Sequence, residues 1–261
     1  LSKDTTMRHL PAIGLLVLAA LPLTAQETRF TPALKAGDRL AISNINGSVT
    51  VTRTSGSTAE VVVTKTVKKG DGNLVKAIME EDAGVVRVCT IYLNRDPDRT
   101  TCAGRNSIER GKGKELEVEM RYDVRVPSGV VFEGGTVDGE MSVRGLDRPA
   151  TVNTVNGSIT FDGAGASELQ TVNGAITASF DRTGWVGAST IRTVNGAITL
   201  TLPSDASLEV SGSTVSGGVT SDFNVTTSGR WGPKRFSGTI GGGGRSLEME
   251  TVNGAITIRK K

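Results

Sequence analysis

The chain has 261 residues with 33 glycines, two cysteines and one histidine, enough for one elongated domain or two small ones. Lys and Arg number 30 against 27 Asp and Glu, a net charge of +3 with both signs spread along the chain, which gives no case for nucleic acid or anionic lipid as a partner. The histidine, His9, falls in the leader described next, so Ser-His-Asp and Cys-His catalysis and His-based metal sites are excluded from the remainder.

Residues 1–25 read as a signal peptide. Leu1 to Thr6 look like an over-extended start before Met7. Arg8 and His9 then precede an apolar run from Leu10 to Leu23, and Ala25 supplies the small residue at the cleavage point. The run is 14 residues long and contains Pro11 and Pro22, short of the ~20 residues of a spanning helix. No later stretch is apolar enough to span a bilayer, so the expectation is an exported protein, periplasmic or at the cell surface, that is not integral to the membrane after cleavage.

Residues 26–37 form a lead-in, and residues 38–130 an N-terminal region of β-strands. Leu40 to Thr54 reads as strand, Asn46-Gly47 turn, strand, and Glu60 to Val67 alternates again. Leu74 to Glu81 fits a helical turn or a strand; its all-β surroundings favour the strand. Val85 to Leu93 is a strand carrying Cys89. Asn94 to Gly113 is a polar surface loop, and Cys89 with Cys102, thirteen residues on in an exported chain, is expected to close it as a disulfide. Leu116 to Val126 then alternates strictly. Leu116, Val118, Met120, Tyr122, Val124 and Val126 lie on one face; Glu115, Glu117, Glu119, Arg121, Asp123 and Arg125 lie on the other.

Residues 131–261 are dominated by one phrase. TVNGAIT occurs at Thr171–Thr177, Thr193–Thr199 and Thr251–Thr257. Variants stand at Asn44–Thr50, Thr136–Ser142, Thr154–Thr160 and Thr214–Thr220, and Phe236 to Ile240 reads as an eighth, worn copy. The turn pairs are Asn46-Gly47, Asp138-Gly139, Asn156-Gly157, Asn173-Gly174, Asn195-Gly196, Ser216-Gly217 and Asn253-Gly254. From Gly139 through Gly238 to Gly254 the spacings are 18, 17, 22, 21, 21 and 16 residues. A period near 20 on a β-type phrase predicts an all-β fold, a single-stranded parallel β-helix or β-solenoid of about seven rungs, with the N-terminal region packed as its first coils or as a cap. Seven rungs stacked at ~4.8 Å make a rod of roughly 34 Å.

Within the phrase, alternation places Val172, Gly174 and Ile176 on the inner face. The glycine is expected to adopt a backbone conformation that other residues resist. The asparagines are expected to align as a hydrogen-bonded ladder. The final copy is followed only by Arg259-Lys260-Lys261, which predicts an open last rung, an edge available for self-association, and a basic tail that discourages it.

Chemistry-bearing motifs are sparse. Gly163-Ala164-Gly165 lacks the last glycine of a dinucleotide fingerprint, and Gly238 to Ser246 has no G-K-[ST], so no cofactor is expected. Asp96 with Asp98, and Glu80, Glu81 and Asp82, are the carboxylate groups available for hydrolysis or calcium. They sit in polar stretches without EF-hand spacing, so no catalytic or metal residue is assigned. Trp185 and Trp231, both in inter-strand loops, are the candidate platforms for a sugar or other ligand.

The repeat phrase, Val124-Arg125-Val126-Pro127-Ser128-Gly129 ahead of the main array, Leu200-Thr201-Leu202-Pro203 after one rung, and the Gly-rich run before the closing TVNGAIT together resemble the bacterial putative-adhesin family, a domain of unknown function built from β-strand repeats. The resemblance spans Leu40 to Ile258. It implies an exported or envelope-associated β-solenoid with no catalytic residues to carry over, and a partner that is an envelope or cell-surface protein or a glycan. The expected function is accordingly that of a non-enzymatic adhesin or envelope scaffold, with a glycan-binding or polysaccharide-degrading β-helix as the alternative.

Overall fold

The structure is a computed structural model that describes residues 25–94, 96–102, 116–164, 167–183, 187–229 and 232–261. The leader reading therefore lies outside the described residues, apart from Ala25. In chain order the strands are β1 (Gln26–Phe30), β2 (Arg39–Ser43), β3 (Val49–Thr54), β4 (Glu60–Lys69), β5 (Val75–Asp82), β6 (Val85–Tyr92) and β7 (Glu117–Pro127). They continue as β8 (Val131–Gly135), β9 (Met141–Leu146), β10 (Ala150–Asn153), β11 (Ile159–Gly163), β12 (Ser167–Asn173), β13 (Ile176–Phe180) and β14 (Ser189–Asn195). The last are β15 (Ile198–Leu202), β16 (Leu208–Ser216), β17 (Val219–Ser221), β18 (Thr226–Ser228), β19 (Lys234–Ile240), β20 (Arg245–Asn253) and β21 (Ile256–Lys260). One 3-10 turn, Gly72–Leu74, is the only helical element among the described residues.

Each repeat contributes one strand to each of two sheets, and the Asn-Gly corner turns the chain from one sheet into the other. The first sheet runs β1-β4-β7-β3-β9-β11-β13-β15-β21-β17, and the second runs β18-β19-β16-β20-β14-β12-β10-β8-β2-β6-β5. Both are mixed. Their interiors are parallel and in register, so that Ile159, Ile176, Ile198 and Ile256 stand above one another. Register is set by burial: a one-residue slip would turn every inward side chain out.

The inward side chains of both sheets form one core from Leu34 to Ile258. Phe161 and Phe180 meet edge-on inside it, ring centroids 5.8 Å apart. A single level could not hide its isoleucine. Its neighbours above and below do so, and full burial of such a side chain is worth roughly 1.5–3 kcal/mol.

Spatial order departs from chain order at both ends. The final TVNGAIT does not close the stack: β20 lies between β14 and β16, and β21 between β15 and β17. The expectation that the final copy is the open last rung is therefore corrected: both β21 edges are paired, and β17 of the Thr214–Thr220 copy is the end strand of the first sheet. The turn from β19 into β20 reverses through Gly241, Gly243 and Gly244 at positive φ. Phe236 to Ile240 is not an eighth copy in the stack. It belongs to β19, which pairs antiparallel with β16 and carries β18 on its other side. At the other end the first repeat, β2 and β3, is flanked by β6 and β7 on one side and by β8 and β9 on the other. Antiparallel β4, β1 and β5 then cover that end. The Leu74–Glu81 segment is a strand from Val75, preceded by the 3-10 turn.

Candidate functional site

The repeated corner is a column of interlocked turns. Its seven turn residues stand in register in the order Asn46, Asp138, Asn156, Asn173, Asn195, Asn253, Ser216. The glycines stack in the same order, and the reason for glycine differs from the expectation. Gly47 alone among them has positive φ. At Gly139, Gly157, Gly174, Gly196, Gly254 and Gly217, a Cβ would lie 1.9–2.1 Å from the carbonyl oxygen of the neighbouring glycine. The residue is required by the approach of one level to the next, not by its own dihedrals.

The same glycine carbonyls accept the threonine hydroxyls that open each phrase. Thr136, Thr154, Thr171, Thr193, Thr251 and Thr214 donate Oγ1 to the oxygens of Gly47, Gly139, Gly157, Gly174, Gly196 and Gly254, at 2.8–3.2 Å. These threonines are buried, while Val155, Val172, Val194, Val252 and Val215 are 38–53% exposed. The sequence reading that put Val172 inside is thus corrected. A strand phase carried through the corner fails because the chain turns there, and Thr171 and Ile176 are the inward pair. The signal was present: the first position of all seven copies is Thr or Asn, residues whose side chains bond to backbone. Asn44 takes the threonine role in the first copy, donating Nδ2 to the oxygens of Gly47 and Met120.

The asparagine ladder forms. Asn156 donates Nδ2 to Asp138 Oδ1 at 2.7 Å; Asn173, Asn195 and Asn253 each donate to the asparagine below at 2.8 Å. All four bonds point one way and end on the Asp138 carboxylate, an arrangement in which successive bonds polarise one another. Half-buried Tyr92 lies near this end; burial, with the Asp138 charge behind it, pushes its phenol up. Asn46 donates instead to the Val118 carbonyl at 3.0 Å.

Beyond the ladder, the outward positions of the next strand form a hydroxyl row: Thr50, Ser142, Thr160, Thr177, Thr199, Thr257 and Thr220 in register. Across five levels, from the corner of β10 and β11 to that of β16 and β17, four outward ranks carry no ionisable side chain. They are the valines, the asparagines with Ser216, a rank of Ser158, Ala175, Ala197, Ala255 and Gly218, and the threonines. Charge returns one level further, at Asp138 and Glu140.

Away from the corner, the cysteines and one of the candidate carboxylates have structural partners. Cys89 and Cys102 are disulfide-bonded, Cα atoms 5.7 Å apart, and Glu80 Oε1 accepts the Cys102 amide at 2.9 Å, so that carboxylate anchors the loop. No group of three or more His, Cys, Asp or Glu among the described residues is placed to hold a metal. A shallow groove of about 610 Å³ near Asp38, Glu81 and Asp82 lies at the β4 and β5 end, away from the corner. Trp185 and Trp231 lie outside the described residues. Inside the capped end, Tyr122 Oη and Thr90 Oγ1 are 2.7 Å apart, and Thr90 donates to Asn44 Oδ1 at 2.9 Å, a buried chain that secures the first corner.

Two mixed sheets joined by stacked, internally bonded corners define a solenoid-like β-repeat protein. The chain belongs to the Toastrack DUF4097 family, which it matches over residues 33–259. Among solved structures, a putative cell adhesion protein from Clostridium sporogenes is similar at 11% identity, covering 91% of this chain and 100% of its own, with a TM-score of 0.45. A putative adhesin from Bacteroides fragilis is similar at 10% identity, covering 92% and 99%, with a TM-score of 0.33. One from Parabacteroides merdae is similar at 8% identity, covering 89% and 96%, with a TM-score of 0.30. A search of curated proteins gives no match. No helix among the described residues is long and apolar enough to cross a membrane.

Proposed function

We propose that the protein is an exported, non-enzymatic binding scaffold of the cell envelope or cell surface, a parallel β-solenoid shaft that presents its repeated corner to a partner. The observation that carries this reading is the row of exposed valines beside the asparagine ladder. The fold uses the threonine, glycine and isoleucine of the phrase, but leaves the valine 38–53% exposed at five of the seven levels, Ile45 at the same position of the first copy being buried. Exposed apolar rows bordered by polar groups mark contact surfaces. The corner is also rigid, since β-branched side chains are stiff at χ1 and the amides hold one another, so little entropy is lost when a partner docks. The leader-like start supports export.

Retention of the protein on isolated cell-envelope fractions, with and without calcium, tests the proposal. Saturable retention is expected. Passage of the folded protein through every fraction overturns it.

A further inference from the structure

We infer that the neutral corner is a binding site for an extended, uncharged polysaccharide lying along the stack, one sugar unit to about one level; this rests on the scaffold reading above. Four features select that ligand. The first is size. Five levels span roughly 19 Å along the stack, and the four ranks, which wrap the corner, at most roughly 17 Å across, at ~4.8 Å per level and ~3.3 Å per residue. The face of at most about 300 Å² falls well below the ~800 Å² per partner of a standard protein interface, which argues against a second copy or a globular protein and suits a single polymer chain.

The second is charge. No cation or anion stands in the four ranks over these levels, so an acidic polymer has no counter-charge there, in a chain of which 22% is Asp, Glu, Lys or Arg. The third is hydrogen bonding. An amide side chain offers two donors and two acceptor lone pairs, and the ladder uses one N–H and one lone pair of Asn173 and Asn195. Each level therefore keeps one donor and one acceptor for hydroxyls. The fourth is the alternation of apolar and polar groups. Val172 and Val194 put branched methyls beside those amides, which matches a pyranose ring with its C–H face and its rim of hydroxyls. A lipid chain would find an apolar strip only one residue wide. A peptide strand would find no free backbone, because the corner N–H groups of Gly174 and Gly196 already donate to the next level's carbonyls.

The test uses the full chain, freed of its leader where cells remove it, in pull-down on chitin and on amorphous cellulose, with polygalacturonate as the charged comparator. Val172→Glu and Val194→Glu place a carboxylate on the face at exposed positions, and Thr227→Glu, on the exposed capping strand β18, is the control. Urea midpoints matching the parent show that each variant is folded. The expected result is retention on at least one uncharged polymer, none on polygalacturonate, and a loss of at least tenfold in both valine variants but not in Thr227→Glu. The inference is overturned if neither uncharged polymer retains the parent, or if both valine variants bind within twofold of it. Envelope fractions are assayed in parallel. Envelope retention unaffected by the valine variants removes this site and leaves the scaffold reading intact. Envelope retention lost in those variants, without polysaccharide binding, assigns the face to a protein partner instead. Failure on envelope and polymer alike removes both readings.

Discussion

Replacing Gly196 with alanine should be among the most damaging single-methyl changes available to this chain. The new Cβ would lie 1.9 Å from the Gly174 oxygen, 2.5 Å from its carbonyl carbon and 3.0 Å from the Ala175 nitrogen, all backbone atoms with no rotamer to change. Relief requires the two levels to part by more than an ångström. That lengthens the Gly174 N–H bond to the Asn195 oxygen, now 3.0 Å, and the Thr193 hydroxyl bond to the Gly174 oxygen, now 2.9 Å. Two lost hydrogen bonds at ~1 kcal/mol each and an overpacking cost of ~1–3 kcal/mol give roughly 3–5 kcal/mol. Gly218 sits at the end level, has ordinary φ and has nothing within 4 Å of its virtual Cβ. Alanine there should be neutral or stabilising by up to about 1 kcal/mol, through the unfolded chain. Urea unfolding of the two variants beside the parent, compared by midpoint and slope, is the assay. If Gly196→Ala lies within 1 kcal/mol of Gly218→Ala, the close approach of stacked corners is not what demands glycine.

Thr193→Val keeps the shape and removes the buried hydroxyl, and should cost about 1–2 kcal/mol in the same unfolding assay; an unchanged midpoint would deny the hydroxyl its role. Burial raises the Tyr122 phenol, partly offset by its bond to Thr90, so the native state holds that proton longer than the unfolded chain does. This contribution is complete below the unfolded value near 10 and declines as pH rises above it, by about 1.4 kcal/mol per unit. Tyr122→Phe should flatten the stability profile above pH ~10, and equal slopes in the two proteins would contradict it. Reducing the Cys89–Cys102 bond should lower stability by roughly 3 kcal/mol, read as a shift of the urea midpoint with dithiothreitol. Deleting residues 245–261 removes an interior level, so the product should aggregate or elute as oligomers; a stable shorter monomer on size exclusion would fit a terminal rung instead.

The repeat made the fold class legible, because a phrase recurring at a near-constant spacing can bury its isoleucines only by stacking. The asparagine ladder was legible for the same reason, since identical residues in register meet themselves. Two things were not. Alternation is a property of a straight strand, and the corner at Val172 and Asn173 interrupts it, so the inward partner of Ile176 is Thr171. Spatial order was the other. Nothing in Thr251 to Thr257 distinguishes an interior level from a terminal one, because it is identical to Thr193 to Thr199. What decides is the preceding segment, where β16 and β19 form an antiparallel pair and β20 enters on the free side of β16. The Cys89–Cys102 pair was legible from spacing and setting, whereas the hold of Glu80 on the Cys102 amide was not, because their proximity depends on the path of β5 and β6.

The order of the levels bears on what the corner is for. A stack whose last level was the last repeat would present open strand edges to other chains. Here β19 and β18 cover the second sheet at one end, and antiparallel β4, β1 and β5 cover the other. In the first sheet the three-residue β17 of the Thr214–Thr220 copy stands at the end with β21 as its one strand partner, while the interior repeats have both edges paired and meet the outside through side chains. Among those side chains the threonine and isoleucine are committed to the interior and the glycine to the contact between levels. The valine is not: threonine is also β-branched and would suit a strand on a solvated surface. Val155, Val172, Val194, Val252 and Val215 nonetheless stand in line, while the rank three residues on varies through Ser158, Ala175 and Gly218. Repetition of an apolar residue where the fold does not call for one, next to variation where it does not matter, is the internal contrast expected of a contact row.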